Sequence, residues 1–506
     1  MSSLQSLSTA DRTPILHFGD EPWRDSPSES VSLKRDMSTE RLFKPCSWGH
    51  LLESTDFETA SVAEFVSAPL ASRWAEIVRE GVYVEVQNAT RAASTNEIAY
   101  WLAVVIKVHG YFVKLRYLGC DDDSCHDFWM NTTSEIGVVG GTDYTIHPVG
   151  WSVEHGEELH PPKEIENSRE DWISCLSAKL ADCSTIPKKL HEAFRLATRT
   201  SFSPGMKLEA VDIRDPGCLR EASVGCVSGR RLEVQYVEDG TSSDSDASSF
   251  WCHDSSTMIR PVGWAKLIGQ DIRSTQRYFD TSLGKILANR LSDEDAPVGC
   301  FTPLHMLEKQ RQSLDAQELK VGMKLEFFTP QCPDAMCIGT IRKVLRNHFL
   351  VVEADDVSAP EERLRMCVHA LSNCLYPAGY AQIARIRLKK PPGYEERCFR
   401  WKEYLDETRS NAAPAEIFAK EVPDHGFQVG QMLEATDVLA PEDIRVARIE
   451  RVVDRLLLIH FEGFPCDYDQ WVDCESPDIF PVGWCNSVRY RLTDPGGGSQ
   501  GVRALD

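Results

Sequence analysis

The sequence predicts a mainly β protein with helical arms, four tandem copies of one unit packed into a single assembly. Three observations predict it. A closing motif recurs as Pro148-Val-Gly-Trp151, Pro261-Val-Gly-Trp264, Pro377-Ala-Gly-Tyr380 and Pro481-Val-Gly-Trp484. An opening motif keeps step: Val82-Tyr-Val-Glu-Val86, Met206-Lys-Leu-Glu-Ala210, Met323-Lys-Leu-Glu-Phe327 and Met432-Leu-Glu-Ala435. Between them each copy carries two strand-like apolar runs, such as Trp101–Val108 with Tyr111–Tyr117 and Met336–Leu345 with Phe349–Val352. Self-similarity at a period of roughly 110 residues is the mark of a repeat architecture, and four copies in register exclude chance.

Taken along the chain, residues 1–40 are rich in Ser, Asp, Pro and Thr and predict a disordered tail. The four units then span 46–152, 169–265, 275–381 and 398–487, with linkers around Pro161-Pro162 and Pro391-Pro392. Each unit opens on an aromatic leader. Trp48 with Leu51 and Leu52, Trp172 with Cys175 and Leu176, and Trp401 with Tyr404 and Leu405 stand at i, i+3, i+4, one face of a helix. Tyr278-Phe279 with Leu283 is a looser version, and Ala296-Pro297 and Ala413-Pro414 are each followed by a Phe four residues after the Pro. Such an arm, roughly 30 residues long, is too small to fold alone and is expected to pack on a barrel, locking neighbouring copies together. Residues 494–506 begin with Asp-Pro-Gly-Gly-Gly-Ser and predict a flexible tail.

The last unit is the most informative. Val446–Val453 and Leu456–Phe461, separated by Asp454-Arg455, read as an antiparallel hairpin. Phe461, Phe464, Tyr468 and Trp471 follow, interleaved with Glu462, Asp467 and Asp469. Rings edged by carboxylates suit a cation with an apolar skin, because ring faces attract positive charge and a methylated ammonium is easily stripped of water. The same rings would equally serve as the core of a small β-barrel.

Composition narrows the function classes. The net charge is −22, from 55 basic and 77 acidic residues, with pI near 5.1. That balance disfavours nucleic acid as the primary ligand, which needs clustered Lys and Arg, and suits basic partners such as histone tails. Arg342-Lys-Val-Leu-Arg346 is the one basic run weighed as a DNA contact, with a solvated strand edge as its plainer reading. No run of eighteen apolar residues exists, so no membrane span is expected. The N-terminus lacks the basic and apolar regions of a signal peptide. The 17 cysteines contain no C-x-x-C pair; buried reduced thiols are expected, and neither metal nor cofactor. Phosphate-binding loops, Gly-x-Ser-x-Gly and His-Glu-x-x-His are all absent, so an enzyme is not expected.

With its MKLEA-VD-type opening, its QWVD centre and its PVGWC close, the chain resembles the malignant brain tumour (MBT) repeat family, over roughly residues 46–487. Four copies make it similar to the four-repeat lethal(3)malignant-brain-tumour-like chromatin proteins. The resemblance implies a five-stranded barrel-like core plus an extended arm in each repeat. It implies a nuclear reader of mono- and dimethylated lysine on histone tails, acting in transcriptional repression with the subunits of a repressive chromatin complex. The alternative is a methylation-independent scaffold in such a complex. The family's pocket, an acidic residue after the opening motif and three aromatics after the hairpin, falls in the fourth repeat on Asp437, Phe461, Phe464 and Tyr468. Phe464 stands where Trp is usual, and Ala440 where some relatives have Asn. The second repeat keeps Asp212 and Tyr236 without further rings before Phe250-Trp251. The third has Thr329 and Glu353 at the corresponding places. The first offers Asn88, Tyr117, Cys120 and His126. Repeats one to three are therefore expected to be scaffold.

Overall fold

The structure, a computed structural model, describes residues 48–54, 57–88, 99–120, 127–133, 138–139, 142–143, 145–167, 169, 171–237, 249–287, 292–301, 319–355, 364–394, 399–418 and 421–493. The expected tails over 1–40 and 494–506, and His126, lie outside the described residues. Among the described residues no helix is long and apolar enough to cross a membrane.

Four antiparallel sheets share one topology. Each has an opening strand at its heart, flanked by a long strand and a short closing strand, with a returning strand and a fourth strand continuing beyond the long one. In the fourth repeat these are Met432–Asp437, Ala440–Val453, Leu456–Phe461, Gln470–Asp473 and the closing Ile479–Phe480. The second and third sheets gain a sixth strand, Ile272–Arg273 or Leu388–Lys389, paired parallel to the long strand. The expected five-stranded core is thus present in every copy. The long strand starts earlier than its apolar run, at Ala440 rather than Val446. Pro441, Glu442 and Asp443 break the alternation, yet pairing of Arg445 with Ala435 and Ile444 with Thr436 holds them in the ladder.

Every copy carries a register shift at the same place between long and returning strands: Val105/Lys107, Leu232/Val234, Ile341/Lys343 and Ile449/Arg451. A bulge bends its strand and increases twist, which curls each sheet into a half-barrel. The closing motif turns on a glycine in the left-handed region, φ 92, 89, 91 and 85° at Gly150, Gly263, Gly379 and Gly483, where a Cβ would be strained. The short helix that follows is anchored by the opening motif's glutamate. Glu434 accepts from the backbone N–H groups of Gly483 and Cys485, both at 2.8 Å. Glu326 takes Gly379 and Ala381 at 2.8 and 2.6 Å, and Glu209 takes Gly263 and Ala265 at 2.7 Å each. Burial pushes Glu209 and Glu326 up to about 7, against these donors, which lower them.

The arms pack on barrels, as expected, those of repeats 2, 3 and 4 each on the preceding one. Trp401 Nε1 donates to Glu326 of repeat 3 at 2.7 Å, and the Tyr278 hydroxyl donates to Glu209 of repeat 2 at 3.0 Å. Trp172 lies edge-on to Trp101 of repeat 1, ring centroids 5.3 Å apart. The first arm goes to the last barrel: Trp48 Nε1 donates to Glu434 at 2.7 Å. Parallel bridges repeat the rule, with Thr185 on Tyr83, Asp295 on Lys207, Ala412 on Lys324 and Thr59 on Met432. An arm phenylalanine then plugs each of the last three barrels: Phe301 meets Phe202, Phe418 joins the core around Leu325 and Phe327, and Phe65 meets Phe427. Burying such a ring stabilises by roughly 1.5–3 kcal/mol. The result is a closed ring of four barrels, and the cores run together: Trp484 and Tyr490 of repeat 4 share one cluster with Trp101 of repeat 1 and Trp251 of repeat 2.

Candidate functional site

Opening and long strands of repeat 4 are joined by Val438-Leu439, with a register shift that sets Asp437 opposite Ala440. Asp437 is 2 % exposed. Its Oδ1 accepts from the Leu439 N–H at 3.0 Å, an Asx turn that the aspartate makes with the backbone two residues on. Gln470 of the QWVD centre clamps the same turn. Its Nε2 donates to the Thr436 carbonyl at 2.8 Å and its Oε1 accepts from the Val438 N–H at 3.1 Å.

The returning strand ends at Phe461 and turns on Gly463, φ 84°. The Phe464 N–H donates to the Phe461 carbonyl, and the Tyr468 N–H to that of Pro465, both at 3.0 Å, so the loop doubles back twice in eight residues. Phe461 and Phe464 lie 6.2 Å apart in an edge-to-face arrangement; Phe464 and Tyr468 lie 5.4 Å apart, tilted. Phe461 is only 1 % exposed and belongs to the barrel core, whereas Phe464 and Tyr468 are half-buried. The core reading therefore holds for Phe461, while Phe464 and Tyr468 keep exposed surface. Trp471 is pure core, buried against repeat 3 beside Trp401 and Tyr376, with the Arg451 guanidinium 5.2 Å from its ring.

Sequence reasoning missed Arg445. Its guanidinium lies 4.5 Å over the Phe464 ring, and its Nε is 3.4 Å from Asp437 Oδ2. Nη2 is bound to Asp443 Oδ2 at 2.6 Å, and Thr493 Oγ1 donates to Asp443 Oδ1 at 2.9 Å. One cation thus touches both the carboxylate and an aromatic wall, which brings Asp437 and Phe464 into one site. The only signal in the sequence was an arginine one residue before the apolar run, repeated at Arg220. Beside the rings, His460 Nδ1 meets Asp469 Oδ1 at 2.7 Å. The hydrogen bond to Asp469 raises the imidazole above its ordinary value, while burial raises the Asp469 carboxyl and His460 draws it back.

The other repeats keep the frame and spend the site residues internally. In repeat 2 Asp212 Oδ1 makes the same turn with the Arg214 N–H at 3.0 Å, but Oδ2 is bound by Arg273 at 2.9 Å. Tyr236 donates its hydroxyl to the Val211 carbonyl at 2.6 Å and carries the Arg220 guanidinium 4.3 Å over its ring. Residues 238–248 lie outside the described residues and contain no aromatic. In repeat 3 Thr329 donates to Gln331, and Glu353, where a ring would begin, is paired with Arg342 at 2.9 Å. In repeat 1 Asn88 donates to the His160 carbonyl at 3.0 Å, Tyr117 to that of Gln87 at 3.2 Å, and Cys120 is buried. The basic run of repeat 3 is likewise engaged: Arg342 with Glu353, Lys343 with Asp271 at 2.7 Å, Arg346 with the Leu267 carbonyl. Among the described residues no cluster of His, Cys, Asp and Glu is arranged to hold a metal.

Comparison with known proteins agrees with this geometry. The mbt repeat family matches residues 92–166, 206–279, 323–395 and 431–499. The chain is 38% identical over 449 residues to MBT domain-containing protein 1 of Xenopus tropicalis, covering 89% of this chain and 64% of that protein. It is 33% identical over 480 residues to the Polycomb protein Sfmbt of Drosophila melanogaster, covering 92% of this chain and 37% of that one. The chain therefore spans less than two thirds of the frog protein's length and little more than a third of the fly protein's. The crystal structure of the four MBT repeats of Drosophila melanogaster Sfmbt in complex with the peptide RHR(me)K VLR superposes with a TM-score of 0.78. It is 32% identical and covers 88% of this chain and 98% of that one.

Proposed function

The chain belongs to the MBT repeat family, and on that premise we propose that it is a nuclear chromatin reader that binds mono- or dimethylated lysine of histone tails through repeat 4. One observation carries the proposal. Repeat 4 sets a buried carboxylate, Asp437, beside half-buried rings, and the site already accommodates a cation between them, the Arg445 guanidinium. The relative of like fold was crystallised with a basic peptide bearing a methylated lysine, and the −22 charge of this chain suits such a partner.

Phe464 and Tyr468 would flank the methylated ammonium above Phe461, each exposed ring face contributing roughly 0.5–2 kcal/mol of cation–π attraction. Asp437 would accept the remaining N–H, a charge-assisted contact of roughly 1.5–3 kcal/mol. That geometry orders the ligands. Mono- and dimethyl-lysine keep an N–H for Asp437; trimethyl-lysine has none and is bulkier; unmethylated lysine is costlier to desolvate. Binding, not catalysis, is the activity, with repeats 1–3 as the frame and repression in a chromatin complex as its setting. Calorimetry with one histone peptide in four methylation states, on wild type and on Asp437→Asn, tests it. The expected result is preference for the mono- and dimethyl forms and a sharp loss in the variant with its thermal unfolding unchanged. Equal affinity for all four states, or a variant that binds normally, overturns it in favour of a methylation-independent scaffold.

A further inference from the structure

Repeats 2 and 4 place an arginine at the same register position: Arg220 opposite Ala210, Arg445 opposite Ala435. They also share the place beside the long strand. Ile272 lies alongside Leu219 and Leu492 alongside Ile444, so Arg273 and Thr493 occupy equivalent positions. In repeat 2 that position supplies a guanidinium which binds the pocket aspartate directly, Arg273 Nη1 to Asp212 Oδ2 at 2.9 Å. In repeat 4 it supplies a neutral hydroxyl, which donates to Asp443 instead. Asp443 in turn holds Arg445 Nη2 at 2.6 Å, while Arg445 Nε stays 3.4 Å from Asp437 Oδ2 and makes no hydrogen bond. The chain Thr493–Asp443–Arg445–Asp437 therefore ends in a weakened contact, where repeat 2 has a direct one.

We propose that Asp443 is a tether that holds Arg445 back from Asp437, and that the strength of this tether sets the affinity of repeat 4 for its cationic ligand. The inference rests on repeat 4 being the methyl-lysine site. Arg445 is a resident cation competing with the incoming ammonium for one carboxylate oxygen and one ring face. Asp443 holds Nη2 of the guanidinium in a charge-assisted hydrogen bond and so competes with Asp437 for it. When the tether is cut, Arg445 collapses onto Asp437 and repeat 4 comes to resemble repeat 2. When the competitor is removed, the incoming ammonium no longer contends with a resident guanidinium for Asp437 and the Phe464 ring.

These consequences have opposite signs, which a purely structural role for either residue would not produce. With the methylated peptide RHR(me)KVLR in calorimetry on the full chain, Asp443→Asn is expected to bind roughly fivefold more weakly. Arg445→Met, whose thioether keeps an apolar stack on Phe464, is expected to bind roughly fivefold more tightly. The double variant is expected to behave as Arg445→Met alone, since Asp443 acts only through the guanidinium. Thermal unfolding establishes that each variant is folded. Should the Met variant not fold, Arg445→Gln, which removes the charge and keeps a donor for Asp443, must show the same gain. Weaker or unchanged binding by the folded charge-removing variant, or a loss from Asp443→Asn that persists in the double variant, overturns the tether. Wild type that ignores methylation overturns the reader proposal itself, so the two failures are distinguishable.

Discussion

Asp437, Arg445 and His460 show how little of the candidate site is written in its most visible residues. The aspartate is presented by a turn of its own making and by Gln470, which sits 33 positions further on in the chain. The loop that carries the rings is tied back by the ion pair of His460 with Asp469, next to Tyr468. Because Asp469 raises the His460 imidazole, the pair's contribution is complete below the unfolded value of about 6.5 and is lost as pH rises through the higher folded value. The buried carboxyls of Glu209 and Glu326, pushed from 4.5 up to about 7, act in the same direction at lower pH, where stability falls between those two values as they ionise in a site that favours the proton. Thermal stability should therefore decline as pH rises above 6.5 and through the folded His460 value. His460→Gln should decline less steeply over that range, and identical slopes for the two proteins would show that the pair contributes nothing.

At the scale of elements, the arms are the fold's fasteners. A tryptophan at the start of an arm reaches the buried glutamate of another repeat, and an alanine-proline step with a following phenylalanine plugs that same barrel. Trp401→Phe keeps the ring among Phe399, Tyr404 and Tyr376 but removes the N–H that Glu326 accepts. A buried carboxylate deprived of one donor costs roughly 1.5–3 kcal/mol, so the substitution should lower the melting temperature by several degrees without changing the circular dichroism of the folded protein. Trp48→Phe should act alike on repeat 4 through Glu434. A melting temperature unmoved in both variants would mean that the indole N–H groups do not hold the arms.

For the whole molecule, closure of the ring puts other repeats directly behind the candidate site. Arg231 of repeat 2 is fully buried. Its Nη1 donates to Thr436 Oγ1 at 2.9 Å and its Nη2 to the Pro441 carbonyl, so it pins the strands on either side of Asp437. Its guanidinium also lies 5.0 Å over the Tyr490 ring, and its charge lowers the carboxyl of buried Asp478, which burial otherwise raises. On the proposed function, Arg231→Met should weaken methyl-lysine binding by repeat 4 several-fold and lower the melting temperature, although the residue lies in repeat 2. Calorimetry of the folded variant decides: undiminished binding would show that repeat 4 holds its own site without help from repeat 2.

The sequence by itself determined the number of repeats, the hairpin Val446–Phe461, the arm anchors and the ring-rich loop after Phe461. The turn, the helical faces and the ring-rich loop are each complete within a dozen residues, and the repeat count is a matter of motifs recurring four times along the chain. The missing rings of repeat 2 and the threonine at position 329 are likewise visible without coordinates. Only the tertiary structure decided where the first arm goes, because a parallel bridge from Thr59 to Met432 leaves no trace in either segment. Only it separated Phe461 and Trp471, which are core, from Phe464 and Tyr468, which are half-buried. Alternating burial along a strand cannot say which rings a neighbouring barrel will cover. The charges that surround Asp437 were likewise illegible. Arg445, Asp443 and Thr493 are close in sequence or distant from it without pattern, and what joins them is the curl of one sheet around a buried carboxylate.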